Sequence, residues 1–217
     1  MGADKPKQFL RLGRRTVFSR SLSAMCRVEG IAGVVAVAPK EHLKALKQGV
    51  RRDDGLQKVR AVVAGGAERS DSVLAGLEAV EGPCDLVAVH DAARPLVKTE
   101  DAAKTVRVAA RFGAAVLAVP VTDTIKQATD QGFVLNTPDR RRLWAAQTPQ
   151  CFEYNVLLDA HRAANQEGLT ATDDASLVER LGVSVVLVPG DYGNIKITTP
   201  MDLERARLIL RSRLKEE

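Results

Sequence analysis

Short valine-rich runs alternate with longer amphipathic runs along this chain, and that alternation restricts the fold more than any other feature. Ile31 to Ala38, Val59 to Ala64, Asp85 to His90, Ala114 to Val121 and Ser184 to Val188 read as strands; Pro39 ends the first and Gly65-Gly66 follows the second. Between them, residues 16–28 place Phe18, Leu22 and Met25 at helical spacing. Arg69 to Val80 sets Val73, Leu74 and Leu77 on one helical face, and Ala102 to Phe112 continues the pattern. Thr199-Pro200-Met201-Asp202 starts a last helix with a capping hydroxyl, a proline at the first helical position and an acid in the first turn. Near-continuous apolar strands separated by helices predict an α/β fold, a mostly parallel sheet with helices on both faces. In such sheets ligands sit at the carboxyl ends of strands, so the loops after Ala64, His90, Val121 and Val188 matter most. The 217 residues suit one domain, 1–217, able to bury a full core.

One segment breaks the alternation. Ile125 to Ala128 and Phe133 to Asn136 flank the turn-like Thr129-Asp130-Gln131-Gly132, which predicts a β-hairpin arm at about 122–139. A two-stranded ribbon is marginal alone, so it is expected to pack on another subunit.

Composition excludes several classes. No run approaches the roughly 18 apolar residues of a membrane span, and the N-terminus lacks a signal-peptide core and a myristoylation pattern. Cys26, Cys84 and Cys151 form no C-x-x-C pair and no zinc spacing, a reducing-compartment pattern, so the cytoplasm is the expected location. Lys and Arg outnumber Asp and Glu by 32 to 27, a modest excess that suits a protein handling phosphates. Those basic residues form no aromatic-interleaved patch, so nucleic acid is not expected as a partner.

The chemistry-bearing residues gather near the predicted strand ends. Lys7 follows Pro6 on a stiff stretch that can fix the direction of an ammonium. In Gly65-Gly66-Ala67-Glu68-Arg69-Ser70-Asp71-Ser72, two glycines before a helix start allow close backbone approach to a ligand. In His90-Asp91-Ala92-Ala93-Arg94-Pro95, Asp91 could hold Mg²⁺ or a substrate hydroxyl, and Arg94 is expected to prop the loop through an ion pair. His90 reads as a satisfied core histidine, and His42 and His161 as exposed helical residues. Thr122-Asp123-Thr124, Gln147-Thr148-Pro149-Gln150, Thr172-Asp173-Asp174 and Asn194-Ile195-Lys196 add hydroxyls and a lysine. There is no serine elbow and no Cys–His pair. Lysines, one strand-end acid, hydroxyls and glycines suit phosphoryl or nucleotidyl transfer, where positioning and charge neutralisation do most of the catalysis.

Taken in order, PKQF at Pro6, GGAERSDSVLAGL at Gly65, VHDAARP at Val89, PVTDTIK at Pro120, LWAAQTPQ at Leu143, ATDDAS at Ala171 and DYGNIKIT at Asp191 resemble the 2-C-methyl-D-erythritol 4-phosphate cytidylyltransferase family, across nearly the whole chain. The resemblance implies a Rossmann-like fold of the nucleotide-diphospho-sugar transferase type, with the arm clasping a second copy in a homodimer. It implies transfer of CMP from CTP to methylerythritol phosphate, with release of pyrophosphate, in non-mevalonate isoprenoid synthesis. It further implies that Lys7 stabilises charge on the triphosphate and that Gly66, Ala67 and Ser72 hold the cytidine part. Asp91 would lie beside Mg²⁺, or another divalent cation, and the substrate. Arg140 and Lys196 would orient the acceptor, Arg140 from the neighbouring subunit, and Thr124, Thr148 and Thr172 would contact its hydroxyls or phosphate.

The family opens with a strand and a loop of the form A-A-G-x-G-x-R-M, and Met1 falls where the final Met of that loop would be. The resemblance therefore implies two unpaired edges in the middle of the sheet, and a stretch that as given is inactive or poorly folded. Two other readings share the motifs: a cytidylyltransferase for another polyol phosphate such as ribitol 5-phosphate, and a non-catalytic dimeric remnant.

Overall fold

The structure is a computed structural model that describes residues 7–169 and 171–216, with the side chains of residue 7 and residues 214–216 outside the description. In chain order the strands and helices are β1 (Arg11–Leu12), β2 (Arg15–Thr16), α1 (Val17–Arg27), β3 (Val34–Ala38), α2 (Leu43–Arg51), β4 (Val59–Ala64), α3 (Arg69–Glu78), β5 (Leu86–Val89), α4 (Thr99–Phe112), β6 (Ala114–Pro120), β7 (Gln127–Ala128), β8 (Val134–Asn136), β9 (Trp144–Glu153), α5 (Tyr154–Gln166), α6 (Asp174–Arg180), β10 (Val186–Pro189) and α7 (Pro200–Glu216). The predicted strands and helices are present with boundaries shifted by a few residues.

The larger sheet has the order β10-β6-β9-β5. β10 runs parallel to β6, while β9 is antiparallel to both β5 and β6. The alternation pattern did not signal β9. Its sequence WAAQTPQCFE is polar through the middle and carries Pro149, which cannot donate to a ladder. The β6–β9 ladder is interrupted between Val116 and Ala118, opposite residues 147–149, which accommodates that proline. β6 itself is buried from Ala114 to Val119, the signature of a central strand covered on both faces.

β3 and β4 form a separate parallel pair. Among the described residues, the second edge of β3 and the second edge of β5 have no ladder partner. Two helices nevertheless hold both sheets side by side. On α1, Phe18, Leu22 and Cys26 pack with Ala36 and Ala38 of β3, while Ala24 and Met25, with Val28 just past the helix end, join the cluster of the larger sheet. On α3, Leu77 is buried with Val87 and Val89 of β5, and Gly76 lies against Val37 of β3. The absence of a Cβ at Gly76 permits this approach, since an added Cβ would come within 3.0 Å of the Val37 side chain. The unpaired edges leave β5 only half-buried along its length, unlike β6.

The hairpin forms as expected. Gln127 faces Asn136, Ala128 faces Val134, and Gly132 closes the turn at φ 85°. Its apolar side chains Phe133, Val134 and Leu135 are 71%, 60% and 60% exposed, so the hairpin is not buried against its own subunit.

Candidate active site

The site lies at the carboxyl ends of β4 and β5, where the fold rule places it. The loop after β4 turns directly into α3. An added Cβ on Gly65 would meet the Ser72 hydroxyl at 2.5 Å, and one on Gly66 would meet the Asp71 Cβ at 2.3 Å. Only glycine lets the loop lie this close to the helix start. Glu68 caps α3, with its side chain and that of Asp71 closing a capping box. Ala67 is exposed beside it, and the Ser72 hydroxyl donates to the Glu68 carbonyl at 3.2 Å.

Beyond β5, Asp91 is the electrostatic centre. Lys196 Nζ lies 2.8 Å from its Oδ2, Arg69 Nε 3.4 Å from its Oδ1, and Arg94 Nε 3.7 Å from its Oδ2. Burial works against the charged carboxylate, but Lys196, Arg69 and Arg94 outweigh it and hold Asp91 below the usual carboxylate range. These four groups and Gln147, Thr148, Gln150, Thr172 and Asp173 line a cavity of about 220 Å³. Arg69, Arg94 and Lys196 line it with Asp91 and Asp173, and Lys196, 43% exposed, is the cation most open to an anionic ligand.

The surrounding hydrogen bonds are spent on holding Asp91. Its backbone N–H donates to Thr148 Oγ1 at 3.0 Å, and that hydroxyl lies 2.9 Å from His90 Nδ1. The Arg94 carbonyl, 3.0 Å from Nε2, can only accept, so the imidazole proton sits on Nε2 and Nδ1 accepts from the Thr148 hydroxyl. Enclosure lowers the His90 pKa to about 4, and the ring is a neutral structural group, as expected from the sequence. Arg94 donates to the Asn194 carbonyl at 2.8 Å and props the loop. Lys196 is carried by a loop anchored at both ends. Asp191 pairs with Lys98 at 2.5 Å, and the Ile197 N–H donates to the Ala93 carbonyl at 2.9 Å.

Three expectations need correction or completion. His161 is 3% exposed on the inner face of α5 and lies 3.0 Å from Asp174, which is fully buried. It sits four residues after Leu157 and three before Ala164, both buried, so helical periodicity could have placed it inside. His42 belongs to a short 3-10 turn and its ring packs on Phe9 at 4.2 Å, not on an exposed helix face. Arg69, Gln150 and Asp174 stand within motifs the sequence singled out, but none of them has a role assigned there. Arg69 forks onto Asp174 at 3.0 and 2.6 Å, and Gln150 accepts from the backbone N–H groups of Asp174 and Ala175 at 3.1 Å each.

Comparison with known proteins places this arrangement. Residues 1–212 match the family described as IspD, 2-C-methyl-D-erythritol 4-phosphate cytidylyltransferase. The chain belongs to the IspD family. A relative from Desulforamulus reducens named 2-C-methyl-D-erythritol 4-phosphate cytidylyltransferase is 44% identical, covering 98% of this chain and 91% of its own length. One of the same name from Pelotomaculum thermopropionicum is 46% identical over 98% and 90%. Among solved structures, that enzyme from Thermus thermophilus is similar with TM-score 0.78 and 38% identity, covering 95% of this chain and 94% of its own. The 4-diphosphocytidyl-2C-methyl-D-erythritol synthase of Anaerococcus prevotii aligns with TM-score 0.86 and 30% identity over 93% and 88%.

Within this IspD-family chain, the structure brings Asp91, Lys196, Thr148 and Thr172 to one cavity, with the loop of Gly66, Ala67 and Ser72 joined to it through Arg69. Thr124 and Arg140 do not line that cavity. Both are exposed at the base of the hairpin, where Arg140 donates to the Thr122 carbonyl at 2.7 Å. Lys7 opens a short 3-10 turn, and its side chain, with Asp4, Lys5 and Pro6, lies outside the described residues.

Asp174 should matter for stability. Burial opposes its charge, but His161 and Arg69 hold it ionised below the usual carboxylate range. Asp174→Ala leaves Arg69 and His161 without their buried partner and should cost about 3–5 kcal/mol of unfolding free energy, read by denaturant titration. A loss under about 1 kcal/mol would show that the network adds little to the fold.

Proposed function

We propose that this protein transfers CMP from CTP to 2-C-methyl-D-erythritol 4-phosphate, releasing pyrophosphate. The observation that carries the reading is the Asp91 carboxylate held among Lys196, Arg69 and Arg94 beside the glycine loop, in a chain of the IspD family. An acceptor phosphate oxygen attacks the α-phosphorus of CTP in line. The new P–O bond forms as the bond to the β-phosphate oxygen breaks, and pyrophosphate carries away the electron pair. The work of the protein is to bring two anions together and neutralise the charge that gathers between them.

The glycine loop, with Gly66, Ala67 and Ser72, receives the cytidine part, and Lys7 faces the triphosphate. Lys196 contacts the acceptor phosphate, and Thr148 and Thr172 shape the acceptor side. Thr124 and Arg140 act from the arm of a partner subunit. Asp91 fits a divalent cation such as Mg²⁺, which characteristically takes one or two carboxylates plus substrate phosphate oxygens. Among the described residues two carboxylates, Asp91 and Asp173, line the cavity, and no group of three or more His, Cys, Asp or Glu side chains is placed for a metal. When bound, such an ion would offset the negative charge of the substrate phosphates beside Asp91. No helix among the described residues is long and apolar enough to cross a membrane. The free thiols support a cytoplasmic location, and the exposed apolar hairpin supports a homodimer clasped through it.

Pyrophosphate release tests the reading. It should require CTP, a divalent cation and methylerythritol phosphate together. Equal turnover with ATP, or faster turnover with ribitol 5-phosphate, would overturn the substrate assignment. Gly66→Ala should raise the KM for CTP about tenfold or more, the effect of roughly 1.4 kcal/mol of lost binding, because the new methyl displaces the first turn of α3. An unchanged KM would remove the loop from the nucleotide site.

A further inference from the structure

Arg69 occupies the first position of α3, where a cation opposes the helix dipole. Helix stability therefore does not explain an arginine here. Each of its three guanidinium nitrogens instead contacts one of two carboxylates. The two terminal nitrogens fork onto Asp174, at 3.0 Å to Oδ1 and 2.6 Å to Oδ2, while Nε reaches Asp91 Oδ1 at 3.4 Å. Asp174 cannot move to follow it. It is fully buried, His161 lies 3.0 Å from its Oδ1, and its backbone N–H donates to the buried Gln150. An ionised carboxylate only accepts, so His161 donates from Nε2.

A chain of alternating groups thus runs from the interior outward: His161, Asp174, Arg69, Asp91, Lys196. It crosses 105 residues of sequence between Arg69 and Asp174 and joins the start of α3 to the start of α6. We propose that Arg69 is a positioning residue for the transfer reaction, a fork fixed on the buried Asp174 that pins Asp91 by Oδ1 and so turns Oδ2 towards Lys196 and the cavity. The proposal rests on the functional reading above. Its chemical logic is that one planar guanidinium bridges both carboxylates, which a lysine ammonium does not do with the same directionality. A rotation of Asp91 by a fraction of an ångström would misplace the groups that meet the phosphates, and misplacements of about 1 Å can cost roughly 10²-fold in rate.

The experiment compares Arg69→Lys, Arg69→Met, His161→Gln and His161→Phe by steady-state pyrophosphate release from CTP and methylerythritol phosphate, well below each variant's melting temperature. Arg69→Lys and Arg69→Met should lower kcat about tenfold or more, within the scale that positioning controls, with the KM for each substrate little changed. His161→Gln retains an N–H donor and should keep more kcat than His161→Phe. A purely structural Arg69 would lower the melting temperature and leave kcat intact, and that result overturns the proposal. A raised KM with normal kcat does so too, since it would make Arg69 a direct substrate contact. A second arm needs no turnover. The melting-temperature losses of Arg69→Met and Asp91→Ala should be sub-additive in the double variant, because each removes the same contact. Strictly additive losses would show that the contact is not made and would sink the proposal. If the parent protein shows no transfer to methylerythritol phosphate, the functional reading fails while this thermal cycle still decides the contact.

Discussion

Lys196→Ala should lower turnover by about 10²-fold or more, the scale of losing one preorganised charge donor. Three features of the structure make this residue costly to lose. Its ammonium sits 2.8 Å from Asp91, close enough to be oriented, yet the side chain is 43% exposed and free to meet an incoming phosphate. Its loop is stiff, tied to the Asp91 loop through Ile197 and Ala93 and to β9 through Asn194, which donates to Gln147 Oε1 and the Thr148 carbonyl at 3.0 Å each. Among the described residues, no other lysine lines the cavity to take its place. The loss should fall mainly on kcat and on the KM for methylerythritol phosphate, with the KM for CTP less affected. Lys196→Arg should recover part of the activity. Near-normal turnover of the alanine variant, measured as pyrophosphate release, would remove Lys196 from the site.

Arg140→Ala should be as damaging, although Arg140 does not line its own subunit's cavity. It stands exposed at the end of the hairpin, held by the Thr122 carbonyl, and beyond it Phe133, Val134 and Leu135 present largely exposed apolar surface. Pairing with a twin across a two-fold axis would cover that surface, and isologous dimers are the commonest oligomers. The clasp would carry Arg140 to the partner's cavity, where its guanidinium can fork onto an acceptor phosphate. Arg140→Lys supplies the charge without the fork and should remain impaired. Mixing Arg140→Ala with Lys196→Ala protein and allowing subunits to exchange gives a direct measurement. One site of each mixed dimer carries both defects and the other neither, so activity should return to at most about half per mixed dimer. No recovery despite demonstrated exchange would place Arg140 in its own subunit's site or outside any site.

Much of the site was legible before any coordinates because its residues lie in local signals. Asp91 and Arg94 follow a valine-rich strand, Gly65-Gly66 breaks a strand into a helix, and Lys196 sits in a polar loop after another strand. The ends of parallel strands converge by the geometry of the fold, so motifs distant in sequence could be assigned to one place. His90 was likewise legible as structural, since a histidine closing an apolar strand is walled in by its neighbours.

What the sequence by itself determined is most of the alternating strands and helices, the layered α/β class, the glycine turn into α3, the hairpin, and the candidate groups Asp91, Lys196, Thr148 and Thr172. The elements and Asp91 follow from periodicity or from the local chemistry of a few consecutive residues, and Lys196, Thr148 and Thr172 from the resemblance of the ordered motifs to a known family. Only the tertiary structure decided the rest. β9 is a strand because β5 and β6 supply hydrogen-bond partners on both sides, which outweighs a polar, proline-bearing sequence with no strand pattern of its own. Arg69, His161 and Asp174 form a charged network because α3, α5 and α6 converge on one corner of the site. A side chain's partner across about a hundred residues is set by how helices pack on the sheet, and no local pattern records it. The same reason governs Thr148. Its composition suggested a ligand contact, but its hydroxyl is engaged by the Asp91 backbone and His90, because burial obliges each polar group there to find a partner inside the protein.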